Sequence, residues 1–253
     1  MRISSQLNVL LTPAEFKRLP EADLSQTVCV VFDILRATTT ITTALHHGAK
    51  DIIPVAEIPE ALALKIAHPD ILLAGERNGV RIGKELTGDI EFDFGNSPRE
   101  FTRERVQGRT IGITTTNGTR ALRACATASK VIIASFPNLG AVVSSLRKNP
   151  PTQLLLVCSG TGEESAAEDA LAAGAVAEAL WDLYSADQIA DSAEIARQFY
   201  KKHASNLLEA MAHSRNGRRL LKIPELKEDL EICLARDTVQ MVPELKKGGR
   251  ITN

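Results

Sequence analysis

The feature that most constrains the fold of this chain is a regular alternation between short apolar runs and segments with helical periodicity. The run VCVVFDI at 28–34 is followed by ATTTITTALHHGA at 37–49, which we expect to be a helix ending at Gly48. Short runs rich in β-branched side chains are typical of buried strands, and helices between them indicate parallel pairing. The alternation therefore predicts an α/β fold with three layers, α/β/α, around a mostly parallel sheet.

The same alternation continues to about residue 160 and predicts the remaining elements of the sheet. Further strands are expected at 51–56, 70–75, 109–115, 130–136 and 153–160, and further helices at 59–67, 118–126 and 139–148. The sequence from 164 to about 216 is helical in character. The tail adds a predicted helix at 224–235 and the extended run TVQMVPEL.

Two parts of the chain resemble each other at an offset of about 80 residues. The run KDIIPVA resembles KVIIASF, which begins 80 residues later. We infer two copies of one strand–helix–strand–helix–strand unit, the alternative being chance similarity between two such units. Residues 1–253 are thus predicted to form a single compact unit with approximate halves at 28–77 and 109–162, a crossing insertion at 76–108, and a C-terminal helical part at 164–253.

Composition excludes several classes of partner. The chain has 30 basic and 31 acidic residues, whereas proteins that bind nucleic acid or anionic membranes favour a basic excess. Apolar runs are too short for a transmembrane helix or a secretory signal, so we expect a cytoplasmic protein. The four cysteines are far apart, which predicts small buried core residues.

Polar residues follow the first strand, where parallel sheets bind ligands. Asp33 could bind a metal ion or accept a proton, and Arg36 could hold a phosphate through two parallel hydrogen bonds. Thr38 and Thr39 enter the helix, whose free N–H groups favour an anion. The alternative is that Asp33 or Thr38 only caps the helix.

Two further groups of candidates lie before the second half. Glu76 and Arg77 follow the third strand, where the carboxylate could bind a metal ion and the guanidinium could bind an anion. The alternative is a surface turn in which the two form an exposed ion pair. Asn96 and Ser97 precede Pro98, so they either bind substrate or begin an ordinary capped helix.

The rest of the chain contains two more candidates, a hydroxyl-rich loop and a carboxylate within a predicted helix. Thr116, Asn117 and Gly118 lie between a strand and a helix, and could bind an anion through hydroxyl and backbone donors. Asp169 lies next to a small apolar face where a carboxylate is costly, which favours a role in a site. The stretch SRNGRR is interpreted as solvated surface. Together the strand ends suit an anionic substrate with Mg²⁺, and phosphoryl transfer is the chemistry that fits.

These motifs, in this order, resemble the 2-phosphosulfolactate phosphatase family of coenzyme M biosynthesis. The matching stretches cover about residues 28–245 and read FDILRATTTITTAL, AGERNG, FGNSP, TTTNGT, ASFPN, LLLVCSGTG, EDALAAG and DLEICLARDTVQMVP. The resemblance implies a three-layer α/β fold with two similar halves. It also implies a Mg²⁺-dependent phosphatase that hydrolyses (2R)-O-phospho-3-sulfolactate to 3-sulfolactate and phosphate.

The resemblance extends to individual residues of this sequence. Asp33, Arg36 and Thr38 stand in the family's D-x-x-R-A-T motif, and we expect the first two to be catalytic. The expected metal ligands are Asp33, Glu76 and Asp169; the expected substrate-binding residues are Thr38, Thr39, Arg77, Asn96, Ser97, Thr116, Asn117 and Gly118. One departure is that Ala166 and Ala167 precede the Glu-Asp pair where the family has Ser-Leu, which puts a hydroxyl role there in doubt.

Two other functions stay open at this point. The first is a phosphatase for another small phosphorylated carboxylic acid, and the second is a non-catalytic anion-binding module on the same fold. The three carboxylates argue against the second, because binding an anion alone favours arginine and backbone amides. The Ala- and Leu-rich segment at 164–216 could also form a homodimer surface.

Overall fold

The computed structural model describes residues 6–253, in which one sheet holds all the regular strands. The strands are β1 (Leu7–Leu10), β2 (Thr27–Phe32), β3 (Asp51–Pro54), β4 (Leu72–Arg77), β5 (Val80–Arg81), β6 (Thr110–Thr114), β7 (Lys130–Ala134), β8 (Gln153–Cys158), β9 (Glu244–Leu245) and β10 (Ile251–Thr252).

The α-helices connect these strands and form most of the C-terminal third. They are α1 (Pro13–Phe16), α2 (Ala37–His46), α3 (Ile58–Ala67), α4 (Lys84–Thr87), α5 (Arg103–Val106), α6 (Gly118–Ala124), α7 (Leu139–Lys148), α8 (Ala167–Leu180), α9 (Asp191–His203), α10 (Leu207–His213), α11 (Arg215–Leu221) and α12 (Pro224–Leu234). Short 3₁₀ turns interrupt the segment between α8 and α9, so the predicted helical stretch at 164–216 is a series of helices.

The sheet contains two parallel groups of strands that run in opposite senses. The strand order is β1-β8-β2-β7-β9-β10-β3-β6-β4-β5, and pairing is parallel within β1-β8-β2-β7 and within β3-β6-β4. The three pairings that join the groups, through β9 and β10, are all antiparallel. The fold is therefore α/β with a mostly parallel mixed sheet, as predicted.

The strands of the two predicted halves are interleaved in this sheet. The first strand of the first half, β2, lies between β7 and β8 of the second half. Reciprocally β6, the first strand of the second half, lies between β3 and β4 of the first. The halves thus form one sheet and not separate lobes. The duplication itself stays a prediction; two units that exchanged their first strands would give this order.

Helices cover both faces of the sheet and create a three-layer arrangement. Residues that alternate along a strand point to opposite faces. On β2, Cys29 and Val31 pack in a core shared with α2 and α6, whereas Val30 and Phe32 pack in a second core with α7 and α8. Helix α3 covers the outer face of the other parallel group. All four cysteines are buried and free, as predicted.

Within residues 6–253, no helix combines the length and the apolar character needed to cross a membrane.

Candidate active site

A cavity of about 630 Å³ lies where the loops after β2, β6 and β8 meet the β4–β5 hairpin, with α11 and the start of α12 on its other side. Its lining includes four carboxylates, which are Asp33, Glu76, Glu168 and Asp169. Strand ends from both predicted halves contribute to it.

The loop between β2 and α2 fixes the orientation of Asp33. One carboxylate oxygen of Asp33 accepts a hydrogen bond from the N–H of Ala37 at 3.1 Å. The hydroxyl of Thr38 contacts the N–H and the carbonyl oxygen of Asp33 at 3.0 and 2.9 Å, and the hydroxyl of Thr39 donates to the carbonyl of Ile34 at 3.0 Å. Thr38 and Thr39 are fully buried and do not line the cavity, so their hydroxyls hold the loop.

Gly118 allows the starts of α2 and α6 to meet beneath Asp33. A Cβ at Gly118 would lie 2.5 Å from Oδ2 of Asp33 and 2.7 Å from Cβ of Ala37. No side chain fits at these separations, so the glycine is required by close approach. Gly118 is buried and outside the cavity lining, which makes it part of the support for Asp33.

The β4–β5 hairpin positions Glu76. Asn78 and Gly79 form its turn with φ angles of 56° and 79°, the left-handed backbone that a tight Asn-Gly hairpin turn requires. Oε2 of Glu76 accepts the N–H of Gly79 at 2.7 Å, and Oε1 accepts the N–H and the hydroxyl of Thr116, both at 2.9 Å. Glu76 therefore links the hairpin to the loop after β6.

Glu168 and Asp169 enter the cavity from the first turn of α8. Oδ1 of Asp169 accepts the N–H of Ile34 at 2.9 Å, while Oδ2 accepts the hydroxyl of Ser159 and the N–H of Gly160, both at 3.1 Å. Glu168 accepts a hydrogen bond from Asn216 through Oε1, whereas its buried Oε2 has no partner among residues 6–253. Sequence reasoning gave Glu168 no role, although it adjoins Asp169 in the Glu-Asp pair.

Burial raises the pKa values of Asp33, Glu168 and Asp169. Burial raises the pKa of Asp33 to about 6; the N–H of Ala37 opposes this rise, while the charges of Glu76 and Glu168 add to it. Burial, followed by the charges of Asp33 and Glu168, raises the pKa of Asp169 well above its ordinary value. Burial also raises the pKa of Glu168, opposed by the hydrogen bond from Asn216. A cation placed among these groups would relieve their mutual repulsion.

Arg36 lines the cavity but is already held by the protein. Its Nη1 is 2.5 Å from Oδ2 of Asp229, and its Nη2 donates to the carbonyl of Gly79 at 3.2 Å. The hydroxyl of Ser97 donates to the other oxygen of Asp229 at 2.6 Å, so Ser97 supports this pair and lies outside the cavity lining. Sequence reasoning gave Asp229 no role, although it begins the stretch DLEICLARDTVQMVP.

The other predicted residues divide into two groups. Asn96, Thr116 and Asn117 line the cavity, and the buried Oδ1 atoms of both asparagines have no hydrogen-bond partner in the described part of the chain. Arg77 does not line it; its guanidinium donates to the carbonyl of Glu76 at 2.7 Å and to Thr114 at 3.1 Å. The cavity thus contains polar side chains that are free to bind a ligand.

The arginines of the stretch SRNGRR are exposed, as predicted, but the stretch also contributes to the cavity. Arg215, Asn216 and Arg219 line the cavity from α11. Their position depends on the packing of α10, α11 and α12 against one another, which the local charge pattern does not reveal.

The described residues contain no group of three or more His, Cys, Asp or Glu side chains arranged to hold a metal ion. Asp33 and Glu168 accept fewer hydrogen bonds than Glu76 and Asp169: Asp33 accepts the N–H of Ala37 and a hydrogen bond from the side chain of Ser159, and Oε2 of Glu168 has no partner in the described part of the chain. Carboxylate oxygens are the ligands that Mg²⁺ prefers, and Mg²⁺ commonly uses only one or two of them together with water and substrate phosphate. The donor chemistry of the cavity fits that pattern.

A family model described as 2-phosphosulpholactate phosphatase matches residues 14–248. The chain belongs to the 2-phosphosulfolactate phosphatase family. Similar proteins named "Probable 2-phosphosulfolactate phosphatase" include one from Caldanaerobacter subterraneus subsp. tengcongensis, which is 40% identical over 94% of this chain and 96% of its own length. Another, from Thermotoga petrophila, is 38% identical over 87% of this chain and 89% of its own.

A third relative of the same name, from Clostridium perfringens, is 37% identical over 87% of each chain. Membership of the 2-phosphosulfolactate phosphatase family confirms the resemblance drawn from the motifs. It also confirms the prediction of an enzyme in the class of phosphoric monoester hydrolases.

Proposed function

We propose that this protein hydrolyses (2R)-O-phospho-3-sulfolactate to 3-sulfolactate and phosphate. The observation that carries the proposal is the cavity, which joins four carboxylates to arginines and unpaired amides within a chain of this family. Phosphoryl transfer needs positioning and charge stabilisation more than a nucleophilic triad, and these are the groups that the cavity provides.

Mg²⁺ is proposed as the cofactor, bound through Asp33 and Glu168. These two carboxylates accept fewer hydrogen bonds from the protein, whereas each oxygen of Glu76 and Asp169 already accepts at least one. When bound, the ion would neutralise phosphate oxygens and polarise the phosphorus centre. Glu76 and Asp169, the other predicted ligands, would then flank the ion and contribute charge.

Asp33 is proposed to take the proton of the attacking water. The pKa of Asp33 is about 6 in the cavity without a metal ion; a bound Mg²⁺ would lower it and keep the carboxylate ionised, which is the form that accepts a proton in general base catalysis. Water adds to phosphorus as Asp33 takes its proton, the bond from phosphorus to the C2 oxygen breaks, and that oxygen takes a proton from the solvent to become the hydroxyl of 3-sulfolactate, after which Asp33 returns its proton to the solvent. The fixed contact with the N–H of Ala37 keeps Asp33 oriented during this exchange.

Arg36 is proposed to stabilise the charge that develops on the phosphoryl group. Its pairing with Asp229 holds the guanidinium at the cavity wall, so no reorganisation is needed during the reaction. The side-chain NH₂ groups of Asn96 and Asn117 would donate to the carboxylate of the substrate, whereas Thr116 already donates its N–H and its hydroxyl to Glu76. Because Arg77 and Gly118 lie outside the lining, the proposal gives them supporting roles only.

The test is phosphate release from racemic phosphosulfolactate by the purified protein, with Mg²⁺ and with EDTA. We expect release that stops near half of the substrate and disappears in EDTA, because one enantiomer is hydrolysed and the ion is required. A panel of other small phosphorylated carboxylic acids serves as the comparison. Equal or faster phosphate release from another member of the panel would show that the preferred substrate is a different phosphorylated acid.

Substrate binding without any release, in the presence of Mg²⁺, would instead support the anion-binding module. Release that is unaffected by EDTA would remove Mg²⁺ from the proposal and leave the phosphatase in place. The cytoplasmic location, the lack of nucleic-acid partners and the homodimer remain predictions from the sequence.

A further inference from the structure

Among residues 6–253, three arginines line the cavity, and they differ in whether a carboxylate of the protein forms an ion pair with them. Arg36 is paired with Asp229, and Arg215 is paired with Glu164. Arg219 also lines the cavity and is exposed, and no carboxylate oxygen of the side chains that the structure describes, a set without Glu225, lies within 4.0 Å of its guanidinium. Its positive charge is therefore left for a ligand.

We propose that Arg219 is a specificity residue that binds the sulfonate group of the substrate. This inference rests on the proposed function and adds the residue that distinguishes phosphosulfolactate from related phosphorylated acids. Sequence patterns did not suggest it, since Arg219 belongs to the stretch interpreted as solvated surface.

The contacts of Arg219 place it at the rim and leave most of its donors available. The guanidinium donates to the carbonyl oxygen of Asn78 at the tip of the β4–β5 hairpin. A Cβ at Gly79 would lie 3.4 Å from its Nη2, so α11 and the hairpin approach each other closely at this rim. A guanidinium has five N–H donors, so the one described contact leaves several for an anion.

The sulfonate is the group of the substrate that best matches this position. The phosphate is assigned to the carboxylate end, with Asp33, Arg36 and the proposed ion, and the carboxylate to the amides of Asn96 and Asn117. The sulfonate remains, and its oxygens extend further from C2 than those of the carboxylate because the sulfonate is attached to C3, whereas the carboxylate carbon is bonded directly to C2. Guanidinium groups bind such oxyanions through paired, weakly hydrated hydrogen bonds.

The test compares two substrates and two variants. Arg219→Gln removes the charge, and Arg218→Gln is the matched control, because Arg218 is exposed on the same helix and does not line the cavity. Steady-state kinetics are measured on phosphosulfolactate and on 2-phospholactate, which lacks the sulfonate. Binding of 3-sulfolactate and of lactate to each protein is measured by calorimetry.

We expect Arg219→Gln to raise KM for phosphosulfolactate about 10- to 100-fold, the effect of losing a hydrogen bond to a charged group, with kcat changed far less. The preference for phosphosulfolactate over 2-phospholactate, as a ratio of kcat/KM, should fall at least tenfold by the same reasoning. Arg219→Lys should keep part of the preference that Arg219→Gln loses, because it retains the positive charge. Arg218→Gln should keep the wild-type ratio of kcat/KM.

An equal loss on both substrates would overturn the assignment, because it would indicate a role in the fold or at the phosphate. Indistinguishable ratios for Arg219→Gln and Arg218→Gln would also overturn it. In either case a wild-type protein that hydrolyses phosphosulfolactate leaves the proposed function intact. A wild-type protein that neither hydrolyses phosphosulfolactate nor binds 3-sulfolactate would overturn the proposed function, and the assignment with it.

Discussion

At the scale of one residue, the ionised carboxylate of Asp33 lowers the stability of the folded protein. Its pKa is raised to about 6, so the folded protein holds this proton more tightly than the unfolded chain does. A group of this kind stabilises the fold below its ordinary pKa, and that contribution is lost as the pH rises towards 6. Above that pH the fold carries an ionised carboxylate that the unfolded chain would accommodate more easily.

Replacing Asp33 with Asn should therefore stabilise the protein while abolishing its activity. Asn keeps an oxygen for the N–H of Ala37 and removes the charge. At pH 8 in EDTA we expect the free energy of unfolding to rise by about 1–3 kcal/mol, with little gain at pH 4, and kcat in Mg²⁺ to fall at least 100-fold. Urea unfolding at both pH values, with the exposed Asp70→Asn as control, tests the first part. A less stable variant at pH 8 would contradict it.

We expect Asp229 to affect both stability and catalysis through its buried ion pair with Arg36. Asp229 is fully buried and binds Arg36, Ser97 and Arg99, so Asp229→Asn leaves a buried guanidinium without its counter-charge. We expect a loss of about 3 kcal/mol in stability and at least a tenfold loss in kcat. The neighbouring Glu228→Gln, which alters an exposed ion pair with Arg99, should cost less than about 0.5 kcal/mol. Equal effects of the two variants, measured by urea unfolding and phosphate release, would show that burial of the pair is unimportant.

The sequence predicted the residues that immediately follow strands better than those that helices bring from a distance. Asp33, Glu76 and Asn117 line the cavity because each lies at the end of a strand or in the turn after it, whereas Asp169 reaches it from the first turn of α8. Arg77 lies outside the lining, where its guanidinium donates to the carbonyl of Glu76 and to the hydroxyl of Thr114. Glu168, Asp229 and Arg219 depend on how helices dock, which short motifs do not encode.

At the scale of single elements, the start of α6 must approach the start of α2 for Asp33 to be held in place. Gly118→Ala would place a methyl group 2.5 Å from the Asp33 carboxylate and 2.7 Å from Ala37. We expect a loss of about 1–3 kcal/mol in stability, together with a fall in kcat/KM. Gly248→Ala is the matched control, since a Cβ there meets no atom within 4 Å. Wild-type kinetics and unfolding for Gly118→Ala would contradict this close approach.

Elements with strong local patterns were predicted well, and those defined by distant pairing were not. Helix α7 has the predicted bounds, Leu139–Lys148, because its apolar face and its basic last turn are both local signals. The edge strand Leu7–Leu10 was not predicted, since it depends on pairing with β8. The run TVQMVPEL was expected to be extended throughout, but it forms a regular strand only at Glu244–Leu245, where β7 and β10 are adjacent.

At the scale of the whole molecule, the interleaved strand order predicts that neither half folds alone. A fragment of residues 1–108 lacks β6, β7 and β8, and residues 109–253 lack the strand β2 that lies between β7 and β8. Each fragment should give no cooperative thermal transition in circular dichroism, whereas co-expression should restore a folded complex. A cooperative transition in either fragment alone would contradict this interdependence.

The same interleaving has a consequence for how the enzyme would fail under stress. No boundary runs between the halves along which heat or a protease could release one of them and leave the other intact. Opening either parallel group removes the neighbours of a strand that belongs to the other half. The cavity takes Asp33 and Glu76 from one half and Thr116 and Gly160 from the other. Enzymatic activity and folded structure should therefore be lost together, at the same temperature or the same denaturant concentration.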